Sequence, residues 1–340
     1  MSNLIRFEGQ DGPFPPDFVY RPHHPWPGSA TPPEITDLRA FTDVHRWADI
    51  KMCNYVIRPR QNHSVAAADR AVETLFAGNA GQLFANNATA RITFAKTALR
   101  NVLEHDGIRV GPVHLVTITP ARCAHPVSDG GPGPRQMRAA RRHRSAAASF
   151  NTLILQQIAR QGMGQIPFLG MVEAALFLKW GPEGQDYTDW VSWHCHLLTW
   201  GKTHAELHAQ LGPLRRRQRS MRERVSAVHI KSVPDADVAR QLLYILKAPQ
   251  KSSRVTYFSR PWKSRTTGEI KPPGLYIQKD WLRTGQRIRM IDIIGQRRLD
   301  QLLFGNNTGT VLARSIRLKA LRSVQSNQQR PDCGAFSEAS

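Results

Sequence analysis

Two long apolar segments joined by a short turn constrain this chain more than any other feature. Ile166 to Leu178 is apolar apart from one carboxylate near its centre, Glu173, and Lys179 follows directly. After a turn at Gly181 to Gly184 comes Trp190 to Trp200, rich in aromatic and apolar residues but carrying His194 and His196. Runs of this length, bounded by turn residues, read as buried strands, and two of them around a turn read as a hairpin. Such a hairpin needs further strands at its edges and helices over its faces.

The flanking sequence supplies both. Val113 to Thr119 is β-branched and stopped by Pro120, which predicts a strand. Gln136 to Arg160 reads as helix, 203 to 224 as a strongly basic helix, and Val225 to Val233 as a strand. Pro234-Asp235 opens an amphipathic helix from Ala236 to Lys247, closed by Pro249. The order strand, helix, strand, strand, helix, strand, helix predicts an α+β fold: a central antiparallel sheet with flanking helices, plus helical N- and C-terminal extensions. The chain divides accordingly into a Pro-rich N-terminal arm (1–62), a helical appendage (63–106), a core (107–260), a basic C-terminal helical region (261–325) and a polar tail expected to be disordered (326–340). The basic region, broken at Gly305 to Gly309, reads as either a binding or an oligomerisation element.

Charge points to the partner. The chain has 340 residues and a formal net charge of +21, and 36 of its 47 basic residues are arginine. Guanidinium matches phosphate oxygens in pairs and stacks on bases, so this excess favours nucleic acid over a merely basic surface or an anionic membrane. Arg138, Arg141 and Arg142, and then Arg215, Arg216, Arg217 and Arg219, are the densest clusters and the expected DNA contacts, with solvated helix faces as the alternative. No apolar run is long enough to span a membrane, and the N-terminal residues do not read as a signal peptide. The four scattered cysteines form no C-x-x-C, which argues against a disulfide framework and for a reducing cytoplasm.

The chemistry concentrates in the hairpin. On a strand His194 and His196 share one face while Cys195 points the other way, so the imidazoles form half of a metal site. Alone the pattern is weak: a chain of this composition contains about half an H-x-H by chance. Glu173, in the preceding strand, strengthens it. A buried carboxylate needs a cation, either a metal shared with the histidines or one of the many arginines. Two imidazoles and a carboxylate leave coordination positions open, which suits a catalytic divalent ion. Tyr244 and Lys247 lie one helical turn apart, where the cation would favour the phenolate and neutralise a phosphate; the alternative is a core tyrosine. A second Y-x-x-K, Tyr276 and Lys279, sits in a strand or turn and ranks below it.

Three motifs in order then resemble the HUH endonuclease superfamily of the rolling-circle replication initiator type, as in plasmid Rep proteins. Leu115-Val-Thr-Ile-Thr119 resembles the first motif, His194-Cys195-His196 the histidine pair, and Tyr244-Ile-Leu-Lys247 the motif with the nucleophile. Glu173 stands where such proteins often carry an acidic ligand. The tyrosine follows the histidines, as in Rep proteins and related transposases and unlike conjugative relaxases. The resemblance spans roughly residues 110 to 250. It implies a five-stranded ferredoxin-like core and Mg²⁺ or Mn²⁺ held by Glu173, His194 and His196. It further implies nicking and rejoining of single-stranded or supercoiled DNA at a replication origin, through a 5′-phosphotyrosyl link to Tyr244. With no P-loop in the chain, a host helicase and DNA polymerase would be partners. An HUH transposase, or a non-enzymatic basic DNA- or RNA-binding protein, are the rival readings. His204-Ala-Glu-Leu-His208 imitates H-E-x-x-H, but its Glu206 is one place too late and reads as helix surface.

Overall fold

The computed structural model describes residues 34–57, 82–127, 146–180, 188–221, 225–264 and 268–329. Ten strands run through these segments. They are β1 (Val113–Ile118), β2 (Ala124–Pro126), β3 (Phe168–Trp180), β4 (Thr188–Trp200), β5 (Val228–Val233), β6 (Lys251–Phe258), β7 (Trp262–Lys263), β8 (Ile270–Lys271), β9 (Gly274–Trp281) and β10 (Leu303–Asn306). The helices are α1 (Leu38–Ile57), α2 (Ala88–Leu103), α3 (Asp106–Val110), α4 (Ala146–Ser149), α5 (Leu153–Met163), α6 (His204–Gln210), α7 (Gly212–Arg217), α8 (Val238–Leu246), α9 (Thr284–Ile294), α10 (Leu299–Leu302) and α11 (Thr308–Gln329).

The expected hairpin is the spine. β3 and β4 are each 13 residues long and pair antiparallel along nearly their whole length. β1 pairs antiparallel with β4, and β5 antiparallel with β1. The sheet runs β5-β1-β4-β3-β6-β9, with β2 on β4 and β10 on β3, eight strands in all. It is mixed rather than wholly antiparallel as expected, because β6 runs parallel to β3 through Leu176, Phe177 and Leu178. The reason lies in strand length. β10 pairs only with Phe168 to Met171, which leaves the far end of β3 as an open edge, and β6 closes it.

Three boundaries differ from expectation. Within 1–62, residues 38–57 are α1 rather than Pro-rich arm: no proline falls between Pro33 and Pro59, and Phe41 and Val44, three apart, are fully buried. The basic helix read over 203 to 224 is two short helices, α6 and α7, parted at Leu211, with Gly212 and Pro213 opening α7. Residues 261–325 do not stand apart from the core. β9 pairs along all of β6, β10 joins β3, and α11 packs on α2, β10 and β3. One hydrophobic cluster extends from Phe41 to Ala320. The clusters of Arg138, Arg141 and Arg142, and the 326–340 tail past Gln329, lie outside the described residues.

The glycines of the Gly305 to Gly309 break are there for close packing. A Cβ on Gly309 would lie 1.8 Å from the carbonyl oxygen of Phe168, a backbone atom that cannot step aside. Gly309→Ala is therefore expected to destabilise the protein by about 2–4 kcal/mol in urea unfolding. Gly285→Ala, with nothing within 4 Å of the added methyl, is expected to change stability by less than about 0.5 kcal/mol.

Candidate metal centre

The antiparallel register sets Glu173 on β3 directly opposite His194 on β4, and Thr117 on β1 directly opposite His196. Directly paired residues share a face, so four side chains from three central strands converge. His194 Nε2 and His196 Nε2 are 3.1 Å apart. Glu173 Oε2 lies 3.7 Å from the first and 3.4 Å from the second. All three residues are buried. Cys195 points to the opposite face, where burial raises its thiol pKa and keeps it protonated.

Hydrogen bonds on the outer ring nitrogens aim the inner ones. His194 Nδ1 is 3.2 Å from the Ser192 carbonyl, which can only accept, so Nδ1 carries the proton and Nε2 presents a lone pair. His196 Nδ1 is 2.8 Å from the Thr117 hydroxyl, which can donate or accept. Burial lowers both histidines, His194 to about 4, and both are neutral at pH 7. Burial alone would raise Glu173, but Lys247 and the two imidazoles more than offset it, and the carboxylate is held ionised.

These donors suit a divalent ion. Metal–ligand bonds of about 2.1 Å put neighbouring donors about 3.0 Å apart in an octahedron and about 3.4 Å apart in a tetrahedron. The observed separations fall close to that range. The Thr117 hydroxyl completes the arrangement: by accepting from His196 Nδ1–H it leaves Nε2 bare for an ion. Without an ion, it can donate to Nδ1 while Nε2–H donates to His194. Thr117→Val removes that partner at nearly constant volume. It is expected to weaken Mn²⁺ binding by about 10–100-fold in calorimetric titration, with a stability change within about 1 kcal/mol.

Tyr244 and Lys247 reach the same place from α8. The helix ends at Leu246, and Lys247 is its extended cap rather than its last turn. Its ammonium still lies 4.1 Å over the centre of the Tyr244 ring. The Tyr244 ring is 5.2 Å from that of His196 and the residue is 38% exposed, so one side touches the cluster and the other faces solvent. Lys247 is also engaged by Glu173. Its Nζ lies 2.9 and 3.0 Å from the two oxygens of Glu173. Thus the cation paired with Glu173 is a lysine, not an arginine.

Other sequence candidates fall elsewhere. The Tyr276 hydroxyl donates to the Pro272 carbonyl, and its ring packs against Phe258 and Trp262. Glu206 closes a capping box at the start of α6, where Lys202 and Thr203 lower its pKa to about 2. Arg216, Arg217 and Arg219 are exposed and Arg215 half-buried. The Arg219 carbonyl accepts from Ala121 N–H, four residues past Thr117, which ties this basic segment to the end of β1 nearest the cluster. Sequence reading had assigned no role to Thr117. Its position in the alternating Leu115 to Thr119 strand was the available signal.

In comparison with known proteins, no family model, curated protein or solved structure matches this chain. Among the described residues, no helix is long and apolar enough to cross a membrane.

Proposed function

We propose that the chain is a metal-dependent, single-tyrosine DNA nicking and joining enzyme of the HUH type, similar to rolling-circle replication initiators. The observation that carries the reading is the convergence of Glu173, His194 and His196, whose ligand atoms lie within 4.8 Å of one another, with Tyr244 against His196. The strand order supports it as well. β1, α5, β3, β4, α6–α7 and β5 follow a β-α-β-β-α-β sequence with sheet order β5-β1-β4-β3, each strand antiparallel to its neighbour. That order is compatible with a ferredoxin-like core to which β2, β6, β9 and β10 would be additions.

Glu173, His194 and His196 would hold the ion, with Thr117 and the Ser192 carbonyl fixing the imidazoles. A divalent ion bound there supplies Lewis-acid polarisation of a scissile phosphate. The Tyr244 hydroxyl attacks phosphorus. A Tyr244 O–P bond forms, the P–O3′ bond breaks, the phenolic proton is lost to solvent and the departing oxygen gains one, leaving a 3′-OH and a 5′-phosphotyrosyl link. Reversal with a second 3′-OH rejoins the strand. Exposed Arg216, Arg217 and Arg219 would contact the DNA backbone, and the same chemistry serves an origin-nicking initiator or a transposase. With two imidazole ligands, the site should prefer Mn²⁺ to Mg²⁺, which favours oxygen.

One observation favours a second reading, a non-enzymatic nucleic-acid-binding protein: Lys247 already supplies Glu173 with a counter-charge. The deciding experiment is incubation with a labelled single-stranded oligonucleotide library and Mn²⁺, read on a denaturing gel. A covalent protein–DNA band that disappears with chelator supports the enzyme. DNA binding with no band, on a library that includes the replicon's own origin, supports the binding protein.

A further inference from the structure

Behind the C-terminal end of α8 lies a cavity of about 50 Å³, walled by α1, α9, the start of α2 and the segment Ala248 to Gln250. Its polar lining includes His45, Asp49, Arg91, Gln250 and Arg287. Most of these groups are committed. Arg91 donates to the carbonyls of Ala85 and Leu246. His45 donates from Nδ1 to the Phe41 carbonyl and accepts the Ala248 N–H at Nε2, so it is neutral. Asp49 accepts the Ala88 N–H, and burial pushes its carboxyl up to about 7.

Two donors are left over. Arg287 donates from Nε to the Leu282 carbonyl and from Nη1 to Gln250 Oε1, which holds the guanidinium and the amide side by side. Among the described residues, Arg287 Nη2 and Gln250 Nε2 have no hydrogen-bond partner, although the residues are only 6% and 4% exposed. Buried N–H donors are rarely left unpaired, and an unpaired guanidinium arm is the costlier of the two. Water can accept a hydrogen bond from each but cannot balance the charge. Arg91 feels the Glu173 carboxylate, but the carboxyl acting on Arg287 is Asp49, which burial keeps from full ionisation and which therefore offsets Arg287 only in part.

We propose that this cavity binds a small tetrahedral oxyanion of the phosphate type, held by Arg287 Nη2 and Gln250 Nε2. A guanidinium beside an amide presents donors suited to two oxygens of one anion. The volume corresponds to about three or four waters, enough for four oxygens around one centre. The site is separate from the metal centre and does not depend on the nuclease reading. Its occupant would anchor Gln250, three residues beyond Lys247, and so brace the end of the helix that carries Tyr244.

The test is thermal unfolding of the full chain with inorganic phosphate against chloride at matched ionic strength. The wild type is expected to show a saturable stabilisation of about 3 °C at a hundredfold excess over the dissociation constant. Gln250→Glu brings its own carboxylate to Arg287, so it should fold well and bind phosphate at least tenfold more weakly; Arg287→Gln should also lose the response. No saturable response in the wild type overturns the proposal. So does an undiminished response in Gln250→Glu, which would assign the effect to exposed arginines. A parallel arm with a nucleoside 5′-monophosphate identifies the source: a larger shift than with phosphate supports a nucleotide phosphoryl group, and an equal or smaller one supports the free anion.

Discussion

Tyr244→Phe is expected to reduce the covalent protein–DNA band by about 10³-fold or more while leaving fold and metal binding intact. The substitution keeps the ring, and the ring makes the contacts that hold this position. It lies 5.2 Å from the His196 ring and beneath the Lys247 ammonium at 4.1 Å. Only the oxygen is lost, so the unfolding free energy should stay within about 1 kcal/mol of wild type. Mn²⁺ affinity measured by calorimetry should be unchanged, because Glu173, His194 and His196 supply the converging ligand atoms. Tyr276→Phe is the matched control. It removes a hydrogen bond to the Pro272 carbonyl and should leave the band unaltered. Loss of the band with Tyr276→Phe and its survival in Tyr244→Phe would keep the reaction class and move the nucleophile to the β6–β9 ribbon.

The metal-centre residues were legible because strand geometry is periodic. Alternation alone put His194 and His196 on one face, and an uninterrupted apolar run made the single carboxylate at Glu173 conspicuous. Their meeting depended on register, which the sequence between the strands left open; the structure pairs Glu173 with His194 directly. The helical spacing brings Lys247 near Tyr244 but does not indicate the partner of its ammonium. That partner follows from α8 ending at Leu246, which releases Lys247 from helical geometry and lets its chain reach across to β3. The C-terminal region was the least legible. Its arginines look in sequence like a basic surface, but several are used internally. Arg297 donates to the carbonyls of Ala148 and Phe150 and lies over the Trp193 ring, while Arg287 is buried against Leu282 and Gln250. Long-range pairing, such as β10 on β3, leaves no local signature beyond the glycines that permit it.

Replacing Glu173 separates a metal ligand from a structural ion-pair partner. Glu173→Gln strands the Lys247 ammonium, whose side chain is 18% exposed, and is expected to cost about 3–5 kcal/mol of stability. It should also abolish detectable Mn²⁺ binding and the covalent band. Those losses alone could follow from misfolding, so the informative partner is Lys247→Met. In that variant Glu173 keeps its place between the two histidine nitrogens but loses its cation. The metal-free protein should then be less stable, and Mn²⁺ should restore about 2.7 kcal/mol at a hundredfold excess over its dissociation constant. The double variant Glu173→Gln/Lys247→Met removes both charges. It should recover most of the stability lost in Glu173→Gln, as expected when a buried pair is replaced by neutral groups, and remain blind to Mn²⁺. A purely structural Glu173–Lys247 pair predicts the same recovery in the double variant but no Mn²⁺ rescue in Lys247→Met. Rescue by the ion therefore distinguishes a site built to hold a metal from a salt bridge that resembles one.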